Sequence, residues 1–353
     1  MPRDEVSRGV DLMRDIEAIA HASIRQLYER GPESRRFIES SYDACLEDMR
    51  HHVRALAVAM DVGDAMLLED YCVWAKTLLA HRGLPDSCLV GALLALRETI
   101  GDRGGADSTR AAEMLDAALL RISEADVSLP SAIDLSDPLA ALATQYLELL
   151  LAGDRAEAMR VLTDAVVDGV PVRDIYDRVL RMVQHEVGRL WQSGRLSVAM
   201  EHYVTGVSQV LMARLYPVVA EGGGRGPRFV GACVGGEQHE LGIRMVCDLL
   251  ELEGWDAVFL GADTPVDAVV AALFEHSPAV LGLSATLGFN VSEVARFIAA
   301  VREHSPEVLV VVGGRPFDRI PGLWKTVGAD GYAASASEAA KTIGSLVADG
   351  PVA

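Results

Sequence analysis

The sequence is poor in aromatic and basic residues and has no long apolar run. Aromatic residues make up 5% of the 353 residues and hydrophobic residues 50%, so aliphatic side chains must form most of the core. The 32 Lys and Arg are outnumbered by 51 Asp and Glu, giving a net charge of −19, which disfavours nucleic acids and anionic membranes as direct partners. Without a bilayer-length run or a signal-peptide pattern, the sequence predicts a cytoplasmic protein.

The five cysteines also lack a recognisable pattern. They lie in apolar periodic segments without CxxC spacing, at Cys45, Cys72, Cys88, Cys233 and Cys247. An odd number of such residues predicts reduced thiols rather than a disulfide framework.

The spacing of apolar residues predicts a multidomain protein with two helical segments before a sheet. Residues 1–122 predict an all-α N-terminal domain, and residues 137–220 predict a four-helix bundle. The helices are expected at 16–27, 37–60, 65–80, 87–100 and 108–122 in the first segment, and at 137–152, 155–167, 172–192 and 198–216 in the second. A linker at 123–136 and a glycine-rich flexible hinge at 220–227 are expected to separate the segments.

Residues 228–353 alternate short apolar runs with helical patterns. Strands are expected at 229–234, 257–260, 279–284, 308–312 and 331–333, and helices at 241–253, 265–276, 291–304 and 337–348. Because the strand runs are continuously apolar, they predict a five-stranded parallel sheet covered on both faces. The expected fold is therefore an α/β Rossmann-like, flavodoxin-like domain.

The sequence Glu237-Gln-His239-Glu-Leu-Gly242 follows the first strand of this domain. An imidazole at the carboxyl end of a strand projects into the crevice where open α/β sheets bind ligands. A carboxylate two residues earlier can accept the other ring N–H and fix the tautomer, as is common for metal-bound histidines. Taken alone, the motif also fits a polar strand-to-helix turn.

A Rossmann-like domain that begins with this motif resembles the cobalamin-binding module of methionine synthase, corrinoid methyltransferases and CarH-type photoreceptors. The resemblance implies that His239 is the lower ligand of cobalt and Glu237 its hydrogen-bond partner. It also implies that Gly242 lies beside the nucleotide tail of the cofactor. The alternative is a flavodoxin-like nucleotide-binding domain without a corrin.

Two later elements of that family have counterparts here. Its Ser-x-Leu element corresponds to Ser284-Ala285-Thr286, with Thr286 in place of the usual leucine, and its Gly-Gly element corresponds to Gly313-Gly314. The resemblance assigns these residues to cobalamin binding.

The bundle carries a second resemblance. Trp191 is followed by nine residues and then Glu201-His202, the Trp-x9-Glu-His pattern of CarH-type photoreceptors. The resemblance implies that the indole covers the upper corrin face and that Glu201 and His202 bind the adenosyl group of adenosylcobalamin. Gln192 stands where CarH-type proteins have a histidine that captures cobalt after photolysis. Because glutamine is a poor cobalt ligand, that capture is doubtful unless His202 or His185 takes over.

The N-terminal segment is unlike the winged helix-turn-helix domain of CarH-type proteins, since acidic residues outnumber basic ones and no basic recognition helix is found. Its Asp-Tyr-x-x-Trp and His-Arg-Gly-x-Pro runs resemble photocobilins, which bind a bilin such as biliverdin as well as cobalamin. Candidate bilin-binding residues are Cys45, Glu47, Asp48, His51, His52, Tyr71, Trp74, His81 and Arg82. A thioether to Cys45, a globin-like haem pocket and a plain dimerisation domain remain alternatives.

Two functions fit these features. The first is a light sensor without catalytic activity, which binds cobalamin and a bilin and signals as a homodimer to an unidentified protein partner. The second is a corrinoid methyl-carrier protein for a methyltransferase, which shares the lower half of the site. A radical mutase is disfavoured because no substrate barrel is predicted.

Overall fold

The computed structural model describes residues 8–349 and divides the chain into two compact units, with the boundary after Ser128. The helices of the first unit are α1 (Arg8–Arg14), α2 (Ile16–Glu29), α3 (Pro32–Ser40), α4 (Tyr42–Val62), α5 (Met66–His81), α6 (Asp86–Gly101) and α7 (Ala106–Glu124). Within residues 8–349, every helix is too short or too polar to span a lipid bilayer.

The first unit is helical, as predicted, with two corrections, of which the first is that helix α1 was not predicted. The helix expected at 37–60 is two helices, because Ser41 has φ −152° and separates α3 from α4. The apolar spacing continues across this break, which is why periodicity alone did not reveal it. The core lies between the long helices and includes the fully buried Leu56, Leu68, Leu93 and Leu96.

The second unit begins with the predicted bundle. Its helices are α8 (Ala140–Leu151), α9 (Arg155–Val167), α10 (Val172–Asp174), α11 (Arg181–Gln192) and α12 (Val198–Val219). Between α10 and α11, Ile175–Leu180 continues the helix as π-helical turns, so residues 172–192 form one helix as predicted. Ser197 caps the N-terminus of α12, since its hydroxyl accepts a hydrogen bond from Met200 N at 3.2 Å.

The remainder of this unit is a five-stranded parallel sheet with helices between the strands. In chain order the elements are β1 (Arg228–Cys233), α13 (Leu241–Leu252), β2 (Asp256–Gly261), α14 (Val266–His276), β3 (Val280–Ser284), α15 (Val291–His304), β4 (Leu309–Gly313), α16 (Arg315–Arg319), α17 (Leu323–Thr326), β5 (Gly331–Ala333) and α18 (Ala336–Asp349). The strand order β2-β1-β3-β4-β5 is flavodoxin-like. The predicted fold class is confirmed; in this part of the chain the short helices α16 and α17 were not predicted.

The bundle and the sheet share a hydrophobic core. Leu241, Met245 and Leu249 of α13 are buried in the same cluster as the bundle residues. At this interface the Tyr176 hydroxyl donates a 2.8 Å hydrogen bond to Asp248 Oδ2. Burial raises the pKa of Asp248 to about 6, although the hydrogen bond from Tyr176 acts in the opposite sense.

The glycine-rich segment before β1 is packed against the sheet domain, so the prediction of a flexible hinge was wrong. Gly226 N donates to Gly254 O at 2.7 Å. A Cβ atom added to Gly222 would lie 2.1 Å from the carbonyl oxygen of Glu251. These glycines therefore allow a close approach of two backbones.

Candidate functional site

A crevice is expected at the carboxyl edge of the sheet between β1 and β3. These strands are neighbours, but the chain leaves β1 toward β2 and leaves β3 toward β4, so the two connections diverge. The loop after β1 carries Glu237 and His239, and the loop after β3 carries Thr286 and Asn290.

Glu237 is the buried centre of these loops, with no exposed side-chain surface. Its Oε1 accepts hydrogen bonds from the backbone N and Nδ1 of His239 at 2.9 and 2.5 Å. Its Oε2 accepts from Thr286 N at 2.6 Å, Leu287 N at 3.2 Å and Asn290 Nδ2 at 3.1 Å. Burial alone would raise the pKa of Glu237, but the donors from His239 and Thr286 lower it to about 2.

His239 has its Nδ1 bonded to Glu237, as the sequence predicted, while 53% of its side chain is exposed. The bond to Glu237 raises the pKa of His239 against the opposing effect of burial, and the charge of Glu201 adds to the increase. Since Nδ1 is engaged by the carboxylate, Nε2 is the nitrogen that can bind a metal.

The loop after β2 supports the motif. Asp263 N donates to Glu237 O at 2.8 Å, and Asp263 Oδ1 accepts from Gly236 N at 2.7 Å. Asp263 has φ +48°, a left-handed conformation that aspartate tolerates better than most residues. Glu240 connects the loop to the bundle, since it accepts from Gln209 Nε2 at 2.8 Å and from Ala262 N at 3.1 Å.

The other residues predicted for the lower site lie at the ends of strands β3 and β4 and at the start of helix α13. Ser284 is 8% exposed and pairs in register with Cys233 and Gly313. Gly314 has φ +110°, and an added Cβ would lie 2.2 Å from Ala285 O, so close backbone packing already requires glycine there. A Cβ at Gly242 would meet no atom within 4 Å, which leaves open space above this position.

The bundle residues of the candidate site lie on the hairpin formed by α11 and α12. Trp191 and Gln192 end α11 and are half-buried. Glu201 and His202 lie in the first turn of α12, where His202 Nδ1 and Glu201 Oε2 are 2.5 Å apart. The hydrogen bond from Gln209 of α12 to Glu240, the residue after His239, shows that the bundle and the loop after β1 face each other here.

The donor set fits a metal that brings most of its own ligands. Within residues 8–349, no group of three or more His, Cys, Asp or Glu side chains comes together to hold a metal ion. His239 is therefore a single protein donor, with a carboxylate that fixes its tautomer. Such an arrangement suits a metal macrocycle, where the ring supplies the equatorial ligands.

Part of the predicted bilin set comes together in the first unit. His52 Nδ1 lies 2.7 Å from the Tyr71 hydroxyl, and the rings of Tyr71 and Trp74 are stacked at 6.4 Å. His52 is buried, and burial lowers its pKa to about 4, so this imidazole is neutral at pH 7. Desolvation raises the pKa of Asp48, which also interacts with Tyr71.

The other residues of the predicted bilin-binding set differ in their surroundings. The charges of His51 and Arg82 oppose the increase in the pKa of Asp48. Cys45 is buried and its thiol pKa is raised, so the nucleophilic thiolate is disfavoured at neutral pH. His81 Nδ1 lies 2.9 Å from Thr77 O of its own helix.

Family models match both units. Residues 227–341 and residues 142–216 each match a model described as a B12 binding domain, and residues 10–122 match the phycobilisome protein family. The chain is 32% identical to the HTH-type transcriptional repressor CarH of Myxococcus xanthus over 153 residues, 43% of this chain and 50% of that protein. It is 29% identical to dimethylamine corrinoid protein 3 of Methanosarcina acetivorans over 178 residues, 48% of this chain and 80% of that protein.

The second unit of the chain is a cobalamin-binding module of the kind found in the CarH-type family. It spans about half the length of CarH and of its M. xanthus relative CarA. The fold is also that of the monomethylamine corrinoid protein of Methanosarcina barkeri, with a TM-score of 0.52, 22% identity and coverage of 58% of this chain and 97% of that one.

Several residues that build this cobalamin-binding module were not predicted. They are Asn290, which binds Glu237; Asp263 and Glu240, which support the loop; and Gln184 and Thr205, which lie beside Glu201. Asn290 directly precedes α15, a position where asparagine is common, but nothing in the sequence indicates its distant partner.

We predict that Glu237→Gln destabilises the second unit even without cobalamin. The folded-state pKa of Glu237 is depressed from 4.5 to about 2, so its stabilising effect is complete above pH 4.5 and is lost as the pH falls toward 2. A shift of this size corresponds to roughly 3 kcal/mol at neutral pH. Chemical denaturation of the cofactor-free protein at several pH values measures it, with Glu303→Gln, at an exposed position of α15, as control. Equal stability of the variant and the wild type at pH 7 would contradict the role of the buried carboxylate.

Proposed function

We propose that this protein is a light sensor that binds adenosylcobalamin between the bundle and the sheet. The observation that carries the proposal is the presence of polar groups on both sides of the crevice, with His239 on the sheet side and the Glu201–His202 pair on the bundle side. A carrier that passes a methyl group to other enzymes needs the upper side accessible, whereas a sensor needs groups that hold the upper ligand.

Each residue has a defined task in this proposal. His239 Nε2 would hold the cobalt, and Glu237 holds the ring in the tautomer that leaves this nitrogen unprotonated. Trp191 covers the upper face, and Glu201 accepts hydrogen bonds from the adenosyl group. The cofactor, when bound, supplies a cobalt–carbon bond that light breaks.

The same proposal explains how light alters the protein. Trp191, Glu201 and His202 would share the adenosyl group as a ligand, so its loss would let the hairpin between α11 and α12 repack. Gln192 supplies no imidazole to this side of the site, so His202 would be the imidazole available there. The repacked surface then acts on a second copy of the chain or on an unidentified protein partner.

We also propose that the first unit binds a bilin such as biliverdin. Asp48 and the pair of His52 and Tyr71 offer polar groups for pyrrole nitrogens, Trp74 offers a stacking surface, and Arg82 suits a propionate. The match of residues 10–122 to phycobilisome proteins supports this assignment. The raised pKa of Cys45 favours non-covalent binding.

A methyl-carrier function is the second candidate, favoured by the likeness to the dimethylamine corrinoid proteins. It would use the same His239 and Glu237. That the chain does not bind DNA directly stays a prediction, since CarH and CarA are HTH-type transcriptional repressors of which the chain spans about half.

We predict that His239→Ala weakens cobalamin binding about tenfold or more, because the cobalt loses its protein ligand. The visible spectrum of the remaining complex should be that of cobalamin coordinated by its own base. His304→Ala is the matched control, since His304 ends α15 at the opposite edge of the sheet. Unchanged affinity together with an unchanged spectrum in the dark would refute the assignment.

We predict that green light changes both the spectrum and the shape of the adenosylcobalamin complex. Absorption should report loss of the adenosyl group, and size-exclusion chromatography with solution scattering should report the repacking. The hydroxocobalamin complex, which lacks the adenosyl group, serves as control. A spectral change without any change in mass, hydrodynamic size or scattering would argue for the carrier function.

We predict that co-expression with a haem oxygenase yields a protein that absorbs red light. Because the proposed contacts are non-covalent, the bilin should be released on denaturation. His52→Leu should reduce the bilin content by about tenfold, whereas His21→Leu, which alters a histidine of another helix, should not. A colourless product with normal cobalamin content would support a structural role for this unit.

A further inference from the structure

A chain of hydrogen bonds leads from the core of the bundle toward Glu201. The Ser208 hydroxyl donates to Val204 O at 3.0 Å, so its single proton is already used. It therefore accepts from Gln184 Nε2 at 2.9 Å and from the Tyr146 hydroxyl at 3.3 Å. Ser208 and Tyr146 are fully buried, which makes this arrangement fixed.

These hydrogen bonds determine the orientation of the Gln184 side-chain amide. Because the nitrogen of that amide donates to Ser208, its Oε1 must face the other way, toward Thr205. The Thr205 hydroxyl lies 3.1 Å from Gln184 Oε1 and 3.2 Å from Glu201 Oε1. One hydroxyl proton thus has two acceptors, a neutral amide oxygen and a charged carboxylate.

The carboxylate of Glu201 is held on both of its oxygens. Oε1 is the one near Thr205, and Oε2 is the one 2.5 Å from His202 Nδ1. The side chain of Glu201 is 26% exposed, whereas that of His202 is 74% exposed. Glu201 is therefore the more firmly placed of the two groups.

We infer that Thr205 is a positioning residue that orients Glu201 toward the upper ligand of the cofactor; this inference rests on the proposed function. A bond to a carboxylate is stronger than one to a neutral amide, so the Thr205 proton points to Glu201 when no ligand is bound. Ligand hydroxyl or amino groups would bind Oε2, whose neighbour His202 is largely exposed, while Thr205 keeps its proton on Oε1. The bond from Thr205 therefore persists in the complex and holds the carboxylate in the orientation that the ligand needs.

The affinities of the 353-residue chain for adenosylcobalamin and hydroxocobalamin, measured in the dark, test this inference. Thr205→Val removes the hydroxyl but keeps the shape, and it should weaken adenosylcobalamin binding by about tenfold, the loss of one charge-assisted bond. Hydroxocobalamin binding should not change, because its upper ligand does not reach Glu201. Thr205→Ser restores the hydroxyl and should restore the preference for adenosylcobalamin.

Two further variants complete the design. Thr163→Val is the matched control, since the Thr163 hydroxyl bonds only to carbonyl oxygens of its own bundle helix. Glu201→Ala should abolish the preference for adenosylcobalamin. If Glu201→Ala does so and Thr205→Val does not, or if Thr205→Val weakens both cobalamins equally, the positioning role is overturned. If Glu201→Ala also has no effect, the proposed recognition of the adenosyl group is wrong and the inference falls with it.

Discussion

One buried carboxylate, that of Glu237, connects the loops that form the crevice. Burying a charged carboxylate away from water is unfavourable. Here hydrogen-bond donors from the loops after β1 and β3 bind both of its oxygens and offset that cost. The connection fixes the backbone of Thr286 and Leu287 as well as the ring of His239. Because the buried carboxylate of Glu237 is fixed, it holds the partly exposed imidazole of His239 in a defined orientation.

The contact between bundle and sheet limits how this protein can move. Four side chains of the bundle bond to carboxylates in or beside α13: Arg173 to Glu253, Tyr176 to Asp248, Gln209 to Glu240 and Tyr216 to Glu251. The glycine-rich segment between the two parts is itself packed. A change that begins at Trp191 is therefore either confined to the nearby hairpin or must break buried contacts.

The sequence predicted the sheet, the bundle and the pairing of Glu237 with His239, because periodicity and short spacings record local structure. It did not predict the partners that lie far along the chain, such as Asn290 for Glu237, since a single sequence carries no record of distant contacts. The break at Ser41 was missed because apolar spacing continues across it. Residues 220–227 were wrongly predicted to be a flexible hinge, because glycine allows close backbone packing as readily as flexibility.

The helix that carries Trp191 also holds the segment that begins the second unit. Glu186 Oε2 accepts from Ala132 N at 2.8 Å, and Arg189 Nη1 donates to Leu129 O at 3.1 Å. Glu186 is buried and paired with Arg189, so this attachment involves a desolvated ion pair rather than a loose surface contact. A displacement at the end of α11 therefore acts directly on residues 129–132, the start of the unit that binds cobalamin.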